Sequence, residues 1–359
     1  MADMCRKSIK FIEKLRSFYA TFRIMRNRTY QVCALFVCAF LLFGTVDVSA
    51  QKISKRGYAS INEAKAQEIV ATLADDSFEG REAGTRGGDM AAEYIVSLLD
   101  KWGVEPLLPQ GYCQEFQAAK NQNNWITESD MPLDNLIASG CERRVMKNIL
   151  ACIPGKGNGY VVVGAHYDHL GIDTTLVGDQ CYNGADDNAS GVAAALQLAR
   201  AMKKSRKQPE RTIIFAFWDG EEQGMLGSRF FVKRTSFLSD ISAYMNFDMV
   251  GRNSEENPWN VSYIYTADNP VFGEWLQADM QEYKLNLMPL FKASKNLIGS
   301  SDVSPFVRKG VPVVWYHTEG HPDYHRPSDT ADKVNYTKLM EITRAAYLCL
   351  WRLANEASY

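Results

Sequence analysis

From residue 61 onward the apolar positions follow two rhythms. Residues 61–73 (INEAKAQEIVATL) and 91–103 (AAEYIVSLLDKWG) space apolar side chains three and four apart, which predicts two amphipathic helices joined by the glycine-rich turn EGREAGTRGG. Residues 119–146 are polar, rich in Asn, Gln, Ser and Asp, and read as an irregular surface excursion too short for an inserted domain. Beyond it come apolar runs unbroken by charge: VVVGAH (161–166), TIIFAFW (212–218), YMNFDMV (244–250), VSYIYT (261–266) and VPVVWYHT (311–318). Helical stretches at 191–204, 225–234 and 271–284 separate them, and a terminal helix runs from Tyr336 to Asn355. Strands apolar on both sides need a sheet buried on both faces, and the intervening helices supply the cover. The expected fold is α/β, a mixed, mostly parallel central sheet covered by helices on both faces. It forms one domain over residues 51–359, without internal repeats.

The amino end differs. Residues 1–30 carry eight basic side chains against Asp3 and Glu13, and Val32–Val46 then runs VCALFVCAFLLFGTV. A basic stretch, an apolar stretch and the small residues Ser49 and Ala50 are the order of an export signal, with cleavage expected before Gln51. The apolar run is shorter than the roughly 20 residues of a membrane span, so a retained amino-terminal anchor is the lesser alternative. A start at Met25 would give MRNRTYQ as a basic segment of ordinary length. The mature protein is then expected to be periplasmic or extracellular, without stable membrane insertion.

Composition narrows the functional classes. The chain is 46% hydrophobic and 11% aromatic, ample for a large core. Its net charge of -2 and lack of recurring basic clusters exclude a nucleic-acid grip. Of eight cysteines, Cys113, Cys141, Cys152, Cys181 and Cys349 follow the leader. An odd number leaves at least one unpaired, at most one or two bridges are expected, and no CxxC or Cys/His spacing suggests a thiolate-bound metal or a catalytic thiol.

The residues that carry chemistry stand at the ends of the apolar runs, where open α/β sheets collect ligands. His166, Tyr167, Asp168 and His169 follow VVVGA; Asp219, Gly220, Glu221 and Glu222 follow TIIFAFW; Asp248 follows YMNF. The loop YNGADDNASG brings Asp186 and Asp187, and HPDYHRPSDT brings His321 and His325. Singly, each has an ordinary structural role: a packed histidine, a solvated helix start, a turn or N-cap aspartate. Together, several carboxylates at one sheet edge repel one another unless cations neutralise them. Carboxylate oxygen with imidazole nitrogen and no sulfur suits Zn²⁺, with Mn²⁺ or Co²⁺ as alternatives, and a metal pair needs one bridging carboxylate and an exchangeable water.

These residues resemble the co-catalytic zinc peptidases, the family of bacterial leucyl aminopeptidases, glutamate carboxypeptidase and glutaminyl cyclases. The resemblance runs from FEGREAGTRGG through GAHYDHLG, NGADDNASGVAA, FWDGEEQGMLGS and NFDMVG to YHRPSDTADKVNY. It implies two zinc ions per chain, one on His166 and Asp248, one on Glu222 and His325, with Asp187 bridging. It further implies Glu221 as general base, Asp168 as the carboxylate fixing the His166 tautomer, and Tyr324 as hydroxyl donor to the oxyanion. His169 and His321 are expected in supporting or surface roles, and His317 in a structural one. Where many relatives carry Asp followed by His, this chain has Asp302 followed by Val303, which removes one imidazole from the substrate region. The implied activity is that of an aminopeptidase acting on peptides. A carboxypeptidase would need cationic groups that sequence does not place; a glutaminyl cyclase tends to lose part of the binuclear set; an inactive binding protein would lack the intact base.

Overall fold

The computed structural model describes residues 52–122, 124–133, 140–253, 257–299 and 301–359. The leader expected over residues 1–50, with its alternative start, lies outside them. Among the described residues ten strands form one sheet: β1 (Glu105–Pro106), β2 (Cys113–Asn121), β3 (Asn124–Thr127), β4 (Arg143–Ile153), β5 (Tyr160–His166), β6 (Thr212–Trp218), β7 (Ile241–Phe247), β8 (Asn260–Thr266), β9 (Met288–Ser294) and β10 (Val313–His317). Their order is β3-β2-β4-β6-β5-β7-β10-β8-β9, with β1 pairing β4. The central four, β6-β5-β7-β10, run parallel, and antiparallel partners flank them at β4 and β8. The expected mixed α/β sheet, parallel at its centre, is present.

Helices α1 (Glu63–Leu73), α2 (Arg86–Lys101), α3 (Gly191–Ser205), α5 (Val271–Tyr283) and α6 (Tyr336–Asn355) pack on one face against Val161, Val163, Phe215, Phe217, Met245 and Phe247. On the other face, α4 (Leu226–Arg234) and the short helix Val303–Val307 cover Val162, Ile214, Trp218 and Tyr244. Each large apolar side chain removed from water here contributes about 1.5–3 kcal/mol, which is why β5 to β7 sit rigidly enough to hold a site at their ends. At Gly164, on β5, a Cβ would stand 2.5 Å from both Trp218 Nε1 and Tyr244 Oη, so only glycine lets these side chains meet.

Two strand regions depart from expectation. The polar segment 119–146 is not an irregular excursion throughout: it holds the end of β2, β3 and the start of β4, with Arg144 over the Trp125 ring at 5.1 Å. Strand β9 was equally unmarked by any apolar run. Strands β3 and β9 are the two ends of the sheet order, where strands face water and polar side chains interrupt the run. Cys113, Cys152, Cys181 and Cys349 are free thiols, and burial pushes Cys152 up to about 11 and Cys349 up to about 12, so neither is a ready nucleophile.

Candidate metal centre

Parallel strands end together, so the register of β5, β6 and β7 delivers their following residues to one edge: His166 stands opposite Trp218, and Gly164 opposite Asn246. Asp187 arrives from a separate loop that is held on several sides. The N–H groups of Asp186 and Asp187 donate to Asp329 Oδ2 at 2.9 and 3.0 Å. Asn188 donates to the Phe247 carbonyl and accepts from the N–H of Gly191 and Met249, tying the loop to the end of β7. Gly184, at φ +57°, opens the loop; a Cβ there would strike the Asp187 carbonyl oxygen at 2.2 Å. Below, the buried guanidinium of Arg81 donates to the carbonyls of Leu73, Tyr167, Asn183 and Gly184 at 2.6–2.9 Å, joining the His166 and Asp187 loops.

All five expected ligand residues converge. Asp187 Oδ1 lies 3.3 Å from His166 Nε2, while its Oδ2 lies 3.2 Å from His325 Nε2. Asp248 Oδ1 is 3.7 Å from His166 Nε2, and Glu222 Oε2 is 3.2 Å from His325 Nε2. The two oxygens of one carboxylate therefore serve two imidazoles, each accompanied by a second carboxylate. His166, Asp187 and Glu222 bring one ligand atom apiece within 4.8 Å of one another. His325 Nε2 is 3.2 Å from two carboxylate oxygens yet meets hydrogen-bond geometry with neither, as expected of donors directed at a shared cation rather than at each other. Oxygen and imidazole donors without sulfur fit zinc.

Charge in the cluster is finely opposed. Burial alone would lower the His166 imidazole, but the Asp187 and Asp248 carboxylates overcome it and hold it well above its ordinary range. At His325 burial is likewise outweighed by Asp187 and Glu222, pushing it up to about 10. Asp187 is held well below its usual range despite burial, because His166 and His325 face it. Glu221 moves the other way: burial, reinforced by the Asp302, Asp248 and Glu222 carboxylates against the opposing His166, raises its carboxyl well above the ordinary range.

Asp168 requires a correction. Its carboxylate is 3.7 Å from His166 Nδ1, too far to fix the tautomer. That nitrogen instead faces the main-chain oxygen of Asp168 at 3.2 Å, and a carbonyl only accepts, so Nδ1 carries the proton and Nε2 is free to ligate. The Asp168 carboxylate accepts from the N–H groups of Glu221 and Glu222 at 3.0 and 3.3 Å. Tyr324 stacks on His325 with ring centroids 3.9 Å apart and lines the cavity. His169 is buried and its Nδ1 stands 2.8 Å from Glu222 Oε1. His321 is buried against Asp186, its Nε2 3.4 Å from Oδ2. His317 contacts the Asp248 carbonyl through Nδ1 at 2.6 Å and also lines the cavity. Asp302 accepts from Ser228 Oγ behind the site.

Sequence reasoning missed several supports. Ser301 Oγ donates to Asp248 Oδ2 at 2.6 Å and ends a chain running from Trp218 Nε1 through Tyr244 and Asn246. Asp329 and Arg81 lie within the quoted family segments, which was the available signal for them. The cavity bounded by His166, Asp187, Glu221, Asp248, Trp315 and Tyr324 holds about 430 Å³, room for one amino-acid side chain and its peptide bond.

A carboxylate–imidazole cluster at the parallel edge of this α/β sheet defines a metallopeptidase scaffold. The chain belongs to peptidase family M28, whose sequence model matches residues 148–349. It is 28% identical over 229 residues to Leupeptin-inactivating enzyme 1 of Streptomyces exfoliatus, covering 57% of this chain and 48% of that protein. It is 25% identical over 324 residues to Leucine aminopeptidase 2 of Trichophyton rubrum, covering 81% and 59%. The chain thus spans about half the length of the curated relatives it matches. Among solved structures, the zinc aminopeptidase BSAP of Bacillus subtilis shares the fold with a TM-score of 0.62 at 16% identity, over 83% of this chain and 97% of that one. The glutaminyl cyclase of Porphyromonas gingivalis does so at 0.59 and 17%, over 81% and 98%.

Proposed function

We propose that this chain is an exported di-zinc aminopeptidase that releases residues from the amino end of peptides. The observation carrying the reading is Asp187, whose two oxygens face two separate imidazole–carboxylate pairs. In this reading His166 and Asp248 hold one zinc, Glu222 and His325 the other, and Asp187 both. Zinc, when bound, supplies Lewis acidity that polarises the scissile carbonyl and acidifies a water. Glu221 remains uncoordinated, takes the proton from that water and passes it on to the leaving amine. The Tyr324 hydroxyl, at the cavity rim, donates to the developing oxyanion. Asp168 positions both glutamates through their main-chain N–H groups.

Export rests on the leader pattern of residues 1–50. Among the described residues no helix is long and apolar enough to cross a membrane.

The test is a panel of aminoacyl-nitroanilides with zinc-loaded protein, alongside metal analysis. Two zinc ions per chain are expected, with hydrolysis that Glu221→Gln reduces by at least about a thousandfold while zinc content stays at two. No release from any substrate, or full activity in Glu221→Gln, would refute the assignment. One zinc per chain with cyclisation of amino-terminal glutamine would favour the cyclase reading instead.

A further inference from the structure

A second hollow, larger than the catalytic cavity at about 530 Å³, opens beside it at the β8–β9 edge. Ser262, Met280, Met288, Leu290, Thr318 and Glu319 are among its walls. The two hollows share one stretch of chain: His317 and Gly320 line the catalytic cavity, while Thr318 and Glu319, between them, line the second. Sheet register makes a second connection, along the sheet face opposite α5. His317 pairs with Ser262, and Ser262 with Leu290, so these three side chains form one row on one face of the sheet. The row starts at the metal site and ends on β9, two strand spacings or roughly 10 Å away.

The far end is built for contact. Met288 and Leu290 are 55% and 58% exposed, side by side on the same face of β9. Strand β9 has no further neighbour among the described residues, so its outer main-chain groups face outward. The near end is polar and ordered, with Ser262 Oγ and Lys292 Nζ both donating to Glu319 Oε1.

We propose that this trough is an extended subsite for the part of a peptide substrate beyond the scissile bond, and that it selects an apolar side chain near the third residue after the cut. The inference rests on the peptidase reading above. An extended chain advances about 3.3 Å per residue, so roughly three residues cover the distance from His317 to Leu290. Continuity with the catalytic cavity favours this occupant over an unrelated partner, because a peptide held at the metals must leave by some wall, and along this one the polar Ser262–Glu319–Lys292 cluster gives way to the exposed Met288 and Leu290.

The experiment compares Leu-nitroanilide with the hexapeptides Leu-Ala-Ala-Leu-Ala-Ala and Leu-Ala-Ala-Asp-Ala-Ala, following initial release of the first leucine. The wild-type protein and the Met288→Glu/Leu290→Glu double variant are each tested. Expected is a kcat/KM at least about tenfold higher for the Leu than for the Asp hexapeptide in wild type, largely lost in the variant. Unchanged nitroanilide hydrolysis in the variant would show that it is folded and its metal site intact. Equal hexapeptide rates in wild type, or a preference that survives both substitutions, would overturn the subsite. So would a dimer that the double variant dissociates with no change in hexapeptide preference, since a second copy would then occupy the edge. Absence of all hydrolysis, nitroanilide included, would remove the peptidase reading and the subsite with it.

Discussion

Replacing Asp168 by Asn tests whether this residue acts on the glutamates or on His166. Its carboxylate accepts two main-chain N–H groups, from Glu221 at 3.0 Å and Glu222 at 3.3 Å, and is buried with no solvent to substitute for it. An amide keeps one acceptor oxygen and turns the other into a donor, facing an N–H that has nothing else to bond. Loss of one hydrogen bond to a charged group costs about 1.5–3 kcal/mol. If that cost falls on the placement of Glu221, kcat/KM drops about 10- to 150-fold, at about tenfold per 1.36 kcal/mol. The assay is kcat/KM on Leu-nitroanilide combined with zinc titration of the metal-depleted protein. The expected result is a lowered kcat together with weakened zinc binding at the Glu222–His325 position, and near-normal binding at His166–Asp248. Were Asp168 instead the group that orients His166, the weakening would fall on the His166 position. That outcome, or a variant within twofold of wild type in both measurements, would refute the reasoning.

Three further outcomes follow from the same geometry. Arg81→Met leaves the carbonyls of Leu73, Tyr167 and Asn183 without their donor, while Gly184 keeps the Ala189 N–H; at about 1–3 kcal/mol for each buried unsatisfied group, the loss is a large part of the stability of a domain, and the variant should melt well below the wild type by circular dichroism. Chelation should lower the melting temperature and added Zn²⁺ restore it in a concentration-dependent way, since a ligand that binds only the folded state stabilises it by RT ln(1 + [L]/Kd); a chelator-insensitive melting temperature would count against any metal at this cluster. Burial, reinforced by Asp248 and Glu222 against the opposing His166 and Ser228, pushes Asp302 up to about 7. A raised carboxyl holds its proton more tightly in the folded chain, so its ionisation erodes stability as pH rises from about 4 to 7, by a few kcal/mol in total. Asp302→Asn should therefore stabilise the zinc-depleted protein at pH 8 and leave it near wild type at pH 4; equal shifts at both would contradict this.

What the sequence made legible follows from periodicity. His166, Glu221, Glu222 and Asp248 each sit at or just past the end of an apolar run, and parallel strands with common ends bring such residues together whatever the details of packing. The edge strands β3 and β9 were illegible for the converse reason: apart from Thr127 their residues are half-buried or exposed, so these short segments merge into the polar background. Arg81, Ser301 and Asp329 are single polar residues in irregular loops, with no period to mark them, and only their partners reveal their work.

Asp168 shows where the limit lies. Residues two apart share a side only while the chain remains a strand, and β5 ends at His166. Beyond that point the backbone turns, its own carbonyl comes round to His166 Nδ1, and the carboxylate swings to the loop after β6. The tautomer is thus fixed by a main-chain atom that every residue type possesses. The freed side chain couples the His166 loop to the pair Glu221–Glu222, so that both glutamates are held by a single group. Spacing identified the residue but not its partner, because the partner depends on where regular structure stops.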